Sequence, residues 1–343
     1  MLFTSGPEGF LCWLNLCCWL YNPWRSEGKT FPWRTWPIQD ETAAELYKAV
    51  TEGKDVVIEK SKEMGASWLC VTLFVYFFIF EPLSAFFILS RKEDLVDKPG
   101  DPDALFWKAE FQLKHQPGWL LPALDRKKLH IGNATNGSVI DGESTNQDVG
   151  RGGRRTAVML DEFAAVDNAE RVLAALSDNT RCRIFNSTPQ GCGSFDSGGR
   201  LHGNCFAGLR FSGKLQVITL PWWEHPVKGK DRVRVIDESG HEVWDSPWHR
   251  GEAARRASRV EMAQEVDLDY LGSGYPFFDS DVLKKVKAET VRLPRLRGEI
   301  AYEVDTRIEG RLYSMRKWEL HPSPLGRVRV WGEVGEGGRL PQN

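Results

Sequence analysis

The sequence predicts an α/β fold with a mainly parallel central sheet, and three observations predict it. Short apolar runs of strand length recur at 56–59, 85–90, 138–141, 156–160, 183–187 and 215–220, and such runs suit strands covered on both faces. Helix-like segments lie between the first of them, giving the order strand, helix, strand of an α/β sheet. Two runs end directly on polar clusters, Lys60-Ser61-Lys62-Glu63-Met64-Gly65-Ala66-Ser67 and Asp161-Glu162. Ligands of open α/β sheets bind at the carboxyl ends of the strands, so the site is expected there.

Taken in order, residues 1–35 are aromatic and proline-rich. Asp40 is expected to cap a helix over 40–50, with Glu41 in its first turn and Ala44, Leu46, Tyr47 and Val50 as its apolar stripe. The β-branched run 56–59 is a short strand, and 67–80 is so apolar on every side that it must be a helix buried against the sheet. A Pro/Gly/Asp cluster at 97–102 turns the chain into a helix over 103–115, with Leu105, Phe106, Ala109 and Leu113 on one face. The glycine-rich stretch 190–203 reads as a mobile loop. The charges and alanines of 251–264 read as an exposed helix, stopped by the segment that ends in Gly272-Ser273-Gly274. Strand candidates at 301–304, 311–313 and 327–331 make a small β-rich appendage, and there is no internal repeat or low-complexity tract.

At 343 residues and 41% hydrophobic content the chain can bury a large core. A net charge of −2 neither supports nor excludes nucleic acid, so any such contact must come from local basic surface. Seven cysteines without a C-x-x-C pair argue against zinc and against a disulfide framework, and point to a reducing cytosol. The apolar run 10–21 lacks a basic leader and a small-residue cleavage site, and it is too short to span a bilayer.

The cluster at 60–67 fits the phosphate-loop frame G-x-x-x-x-G-K-[ST], with Gly65 at the second glycine and Ser67 at the magnesium-binding hydroxyl. It departs twice: Lys60 replaces the first glycine, and Ala66 stands where the lysine belongs. Phosphate charge still needs a cation, so Lys60 or Lys62 is inferred to reach in from the front of the loop. The amides of Ala66 and Ser67, at a helix start, add anion-binding dipoles. Asp161, after four apolar residues, is placed at the exit of a buried strand, where its carboxylate and the Ser67 hydroxyl can hold Mg²⁺. Glu162 is then positioned to polarise the attacking water.

From about residue 10 to the end, the chain resembles the phage terminase large subunit, the ATP-driven motor that packages viral DNA. The loop with its lysine at the front, Asp161-Glu162 as the Walker B pair, Ser187-Thr188-Pro189 as the coupling motif and Trp36-Pro37-Ile38-Gln39 as the adenine segment carry the resemblance, in the family's order. It implies a P-loop sheet of the additional-strand, catalytic-glutamate (ASCE, RecA-like) type, with an aromatic segment and adenine motif over 1–39, an ATPase core over 40–225 and a lid or linker region over 226–343. ATP and Mg²⁺ are the implied cofactors. The nucleotide would be held by residues 60–67 with Gln39, and covered by Trp36 or Trp33. Lys60 would act as the displaced phosphate lysine, Lys62 as an arginine-finger-like cation in cis, and Thr188 as a γ-phosphate sensor. The resemblance also gives the run 10–21 the task of packing under the ATPase.

Double-stranded DNA, a portal protein, a small terminase subunit and a ring of copies on the portal are the implied partners, in the host cytoplasm and away from membranes. The family's nuclease follows a segment like 327–331, and since the chain ends at Asn343 no nuclease activity is expected from it. Arg91 and Lys92, and the glycine-flanked Arg151, Arg154 and Arg155, are candidates for contact with DNA or with a neighbouring subunit's ATP. Arg250, Arg255, Arg256 and Arg259 read as a solvated helix face, and His225 as a packing residue. Two rival readings stay open: a helicase-like ATPase, and a catalytically weak prophage remnant, to which Ala66 lends weight.

Overall fold

The computed structural model describes residue 3 and residues 6–145, 153–196, 198–237, 240, 242–274, 286 and 289, together with the backbone of 300–304, 315–320 and 328–330. The chain forms two compact units, Met1–Asp281 and Val282–Asn343, so the first extends past the boundary expected at 225.

The first unit opens with helix α1 (Gly6–Cys17) and a hairpin of β1 (Trp19–Tyr21) and β2 (Thr30–Pro32). Next come α2 (Pro37–Glu52), β3 (Val56–Lys60), α3 (Ala66–Phe80), β4 (Ala85–Ser90), α4 (Glu93–Val96) and α5 (Leu105–Lys114). The strands β5 (Leu124–Lys127), β6 (His130–Asn133), β7 (Val139–Ser144) and β8 (Ala157–Asp161) precede α6 (Ala169–Leu176) and β9 (Arg183–Ser187). A small hairpin of β10 (Gly193–Phe195) and β11 (Leu201–Gly203) leads to α7 (Cys205–Phe211) and β12 (Gln216–Leu220). Last are the hairpin β13 (Val233–Ile236) and β14 (Glu242–Asp245), then α8 (Pro247–Arg255), α9 (Arg259–Met262) and a π-helical turn over Ala263–Asp267. The second unit holds a three-stranded antiparallel sheet of β15 (Ile300–Val304), β16 (Met315–Leu320) and β17 (Val328–Val330), in that order. The expected strand at 311–313 lies outside the described residues.

The central sheet has eight strands in the order β12-β3-β9-β8-β4-β7-β6-β5. Neighbours from β12 through β7 pair in parallel, and β6 and β5 close the far edge antiparallel. One strand, β9, lies between the strand that feeds the phosphate loop and the strand that ends in Asp161. That is the additional-strand arrangement expected from the sequence.

Alternation along the strands divides two cores. Val56, Ile58, Phe86, Ile88 and Met159 point into a large cluster with α1, α2, α3 and α5, while Val57, Phe87, Leu89, Val158 and Leu160 point into a second with α6 and α7. Both faces are apolar, which is why the strands read as unbroken apolar runs. Helix α3 is enclosed on nearly every side, with eleven of its fifteen residues buried. Phe10 and Trp13 of α1 pack at a tilt against its Tyr76, and Trp13 Nε1 donates to Gln116 Oε1 at 2.9 Å. The aromatic run near the start of the chain is therefore core.

Several elements differ from the sequence expectation. Helix α2 begins at Pro37, with Trp36 as its extended cap residue, so Asp40 sits in the first turn and accepts from Thr35 instead of capping. Proline's fixed φ suits the first helical position, and that preference outweighs the aspartate signal. The stretch 190–203 contains a hairpin, which closes because Gly193 and Gly203 let two backbones approach where a Cβ would meet Asn204 O at 1.8 Å and Cys192 O at 2.4 Å. The helix expected over 251–264 is two helices with a break between them. Its arginines are not simply solvated: Arg256 is buried against Glu252 and Glu261, and Arg255 pairs with Glu252.

Strand β3 is pinned just before the loop. Glu59, 4% exposed, accepts from Arg210 through Nε at 2.8 Å and NH2 at 2.9 Å, from Thr219 Oγ1 at 2.6 Å and from Tyr270 OH at 2.9 Å. Truncating one partner of a buried ion pair strands the others, so Glu59→Ala is expected to cost about 3–5 kcal/mol. Urea unfolding of the variant measures it, and a midpoint unchanged from wild type would refute the network's importance.

Candidate functional site

The phosphate loop leaves the sheet between two neighbours. Leu220 of β12 lies opposite Lys60, and Ser61 N donates to Leu220 O at 2.9 Å. Gly65 then turns the chain into α3 with φ +82, and a Cβ there would meet Gln39 Nε2 at 2.7 Å, so both backbone and space require glycine. Ala66, 1% exposed, belongs to the large core cluster. That explains the missing lysine: position 66 faces the interior, not the loop's mouth. Ser67, the next residue, is half-buried and free to serve the site.

The carboxylates meet this loop from β8. Ser67 Oγ donates to Asp161 Oδ1 at 2.9 Å, and Lys60 Nζ lies 3.2 Å from Glu162 Oε1. Residues separated by 94 and 102 positions thus face each other. Glu162 takes a left-handed backbone, φ +52 and ψ +42, at the exit of the strand. For a non-glycine residue this costs about 1–2 kcal/mol. The strained turn accompanies a carboxylate that meets Lys60 rather than continuing the strand.

Burial alone would depress the Lys60 ammonium, but Glu162 and Asp161 together more than offset it, and its pKa lies above the ordinary lysine value. Asp161 is pushed up, by burial first and by Glu162 second, against the help of Lys60, Asn186 and Ser67. A cation placed between Ser67 and Asp161 would offset that rise.

Asn186 completes the cluster, and no motif in the sequence points to it. It lies opposite Asp161 on β9, and its Nδ2 donates to Asp161 Oδ1 at 2.5 Å and to Ser67 Oγ at 3.2 Å. Its Oδ1 is buried without a partner among the described residues. A hydroxyl, a carboxylate and an unsatisfied amide oxygen are hard oxygen donors, and they fit Mg²⁺.

The remaining expected residues divide. Ser61 is buried, donating to Val266 O at 2.6 Å and accepting from Trp222 N at 3.0 Å, so it anchors the loop. Met64 is buried, and Glu63 adopts φ +60. Lys62 lies apart from the carboxylates: its ammonium sits 3.5 Å from Glu265, half exposed, while the ammonium beside Glu162 is that of Lys60. Gln39 is also differently employed. It is 1% exposed, its Nε2 donates to Met64 O at 3.0 Å and its Oε1 accepts from Trp33 Nε1 at 3.3 Å, so its amide braces the loop from below. Trp36 lies edge-on to His225 at 4.7 Å, with its Nε1 buried and unpartnered.

Ser187, Thr188 and Pro189 are buried at the end of β9, and Ser187 Oγ accepts from Ala164 N at 3.1 Å, joining this segment to the turn after Glu162. Arg91 and Lys92 follow the carboxyl end of β4 and are exposed. Arg154 and Arg155 precede β8, at the opposite end of the sheet. Arg155 is committed to Asp141 and lies over the Phe87 ring, which removes it as a free cation for DNA. Arg151 lies outside the described residues.

Sheet order, loop and carboxylate pair together give an α/β fold with a mainly parallel sheet, in which the strand leading to Asp161-Glu162 lies beyond β9 from the strand that feeds the loop. Among solved structures the HK97 bacteriophage large terminase has this fold, covering 93% of the chain and 65% of its own length at 13% identity with a TM-score of 0.52. The large terminase ATPase domain of Thermus phage P74-26 is 16% identical over 69% of this chain and 94% of its own, with a TM-score of 0.45. A large terminase of a thermophilic bacteriophage in complex with ATP-γ-S is 11% identical over 84% of this chain and 68% of its own, with a TM-score of 0.42. No sequence model of a known family and no curated protein matches the chain.

Proposed function

We propose that the chain is the ATP-hydrolysing motor portion of a phage large terminase, which uses Mg²⁺-dependent ATP hydrolysis to move double-stranded DNA into a procapsid. The observation that carries this reading is the convergence of Lys60, Ser67, Asp161 and Glu162 at the carboxyl ends of β3 and β8. The fold shared with the HK97 large terminase supports it.

Ser67 and Asp161 would hold Mg²⁺, with Asn186 orienting both. Bound there, the ion would screen the phosphate oxygens and stabilise charge in transfer. Lys60 is paired with Glu162. A triphosphate offers the ammonium a denser anion, and the exchange releases the Glu162 carboxylate to orient water and take up its proton. The buried Lys60 supplies the charge that Ala66 does not, which weakens the case for a catalytically dead remnant.

The hydrogen bond from Ala164 N to Ser187 Oγ gives a route from the turn after Glu162 to Thr188 and Pro189. Beyond them, Gly191 N donates to Ser273 Oγ at 2.9 Å and Cys192 Sγ to Tyr270 O at 3.4 Å. Movement of the 187–192 segment would therefore be felt at 270–273. The portal protein, the small terminase subunit, a ring of copies and the host cytoplasm belong to the same proposal. No helix among the described residues is long and apolar enough to cross a membrane.

The test is hydrolysis of ATP by the purified chain with and without Mg²⁺. Hydrolysis is expected to vanish on chelation, and Ser67→Ala to raise the Mg²⁺ concentration for half-maximal rate by about tenfold, in line with loss of one charge-assisted contact. Mg²⁺-independent turnover, or a Ser67→Ala variant equal to wild type, refutes the site. DNA movement is tested by packaging with the chain supplied to procapsids and linear duplex.

A further inference from the structure

Among the described residues three lysines are buried: Lys60, Lys108 and Lys228. Lys108 spends its ammonium on the carbonyls of Pro102 and Asp103, just ahead of its own helix. Lys228 does something else. It comes from a segment 166 positions beyond Lys62, and its Nζ donates to Lys62 O at 2.6 Å and Glu63 O at 3.4 Å.

The segment that presents Lys228 is itself tightly fixed. After β12 a short turn over Trp222–Glu224 places His225, whose Nδ1 accepts from Val227 N at 3.1 Å and Lys228 N at 3.3 Å. Gly229 follows where a Cβ would meet Trp223 O at 2.1 Å, so the turn admits no other residue without moving. Ser246 Oγ, fully buried, donates to Lys228 O at 2.8 Å, and the ammonium lies 4.8 Å from the Trp248 ring. The Glu63 carboxylate is 3.8 Å away.

A loop that turns its N–H groups toward an anion must turn carbonyls the other way, and the carbonyls of Lys62 and Glu63, two exposed residues, are both given a donor. Here the donor is a buried ammonium. Charge in such surroundings also acts over a longer range than at a surface. The loop's other edge is tied by Lys62 N to Glu265 O at 2.7 Å and by Ser61 Oγ to Val266 O, so Lys228 closes the last side.

We propose that Lys228 is a positioning residue of the phosphate loop: by holding the outward carbonyls of Lys62 and Glu63 it sets the loop's anion-accepting curvature, and from behind it supplies part of the positive potential that Ala66 cannot. This role rests on the nucleotide site proposed above. It predicts an effect on ATP capture and little on the chemical step, since Lys60, Asp161 and Glu162 stay in place.

The experiment compares the full chain with Lys228→Met and Lys228→Arg, using steady-state hydrolysis of Mg·ATP, equilibrium binding of a fluorescent ATP analogue, and thermal midpoints. Lys228→Met should raise KM by about tenfold with kcat changed by less than about threefold, the loss expected for charge-assisted hydrogen bonds. Lys228→Arg should recover most of that loss. Burial pushes the Lys228 pKa down to about 8, against Glu63 and Glu252 and with the help of Lys60 and Arg256. The neighbouring His225 is held neutral, pushed down to about 4 by burial and by Lys228. Wild-type affinity for ATP should therefore fall as pH rises between roughly 7 and 9, as the ammonium discharges, and Lys228→Arg should flatten that fall.

An active wild type whose Lys228→Met variant keeps its KM overturns this role alone. If Lys228→Met does not fold, the pH profiles decide: an unchanged slope in Lys228→Arg overturns the role, and a flattened one supports it. A wild type that neither binds nor hydrolyses ATP overturns the nucleotide site, and the role falls with it.

Discussion

Glu162→Gln is expected to stop turnover while leaving nucleotide binding intact. Glutamine keeps the size and the hydrogen-bonding reach of glutamate but cannot accept a proton, and loss of a positioned general base lowers kcat by about 10²–10⁴-fold. Binding should move the other way. Lys60 is paired with Glu162 at 3.2 Å, and a triphosphate drawing on the same ammonium would compete with that partner. A neutral amide competes less for the ammonium, so ATP should bind as tightly as in wild type or several-fold more tightly. Single-turnover hydrolysis and equilibrium binding with the same protein separate the two effects. Retained turnover would remove Glu162 from the chemistry, and weakened binding would remove the exchange at Lys60.

Lys60→Met is the complementary case, with both steps expected to fail. The ammonium is the charge that the structure sets against both carboxylates, and its loss should cut kcat/KM by at least about 10²-fold, as deletion of a transition-state charge contact does. It should also expose a cost within the fold. Asp161 already lies above its ordinary carboxylate value because of burial and Glu162, with Lys60 opposing the rise. Without Lys60 that rise grows. A carboxyl whose folded-state pKa exceeds its unfolded value contributes stability below the unfolded value and loses it as pH climbs through the folded one. The variant should therefore lose stability relative to wild type as pH rises from acid toward neutrality, which denaturant unfolding at several pH values measures. A constant difference across that range would show that Lys60 does not govern Asp161.

Much of the sheet was legible because its parallel strands are buried on both faces and read as apolar runs. The strands β5 and β6 were not: Leu124, Asp125, Arg126 and Lys127 of β5 are all exposed and show neither an apolar run nor an alternation, and β6, though mostly buried, is His130-Ile131-Gly132-Asn133 with a single apolar side chain. The carboxylate pair and the loop could be found because adjacent residues carry each motif. Asn186 could not be found this way. It is one amide in an apolar strand, and only the placement of β9 between β3 and β8 brings it to Asp161. Gln39 and Lys62 show the reverse: their residue types suit a nucleotide, yet burial beneath Gly65 occupies one and Glu265 occupies the other. Lys228, in Val227-Lys228-Gly229-Lys230, looks like solvated surface in one dimension. The indole of Trp248 and the carbonyls it meets are distant in sequence and close in space.

The Glu59 cluster bears on where a working stroke can start. The residue just before Lys60 is bolted to three separate parts of the unit, by Arg210, Thr219 and Tyr270. A bolted strand cannot slide without breaking all of these bonds together, so on the proposed function β3 would serve as an anvil against which phosphate chemistry pushes. If the proposed motor reading holds, displacement would start on the far side of β9, where Ala164 N meets Ser187 Oγ and Ala164 O meets Asn204 Nδ2, and the sheet would take the recoil.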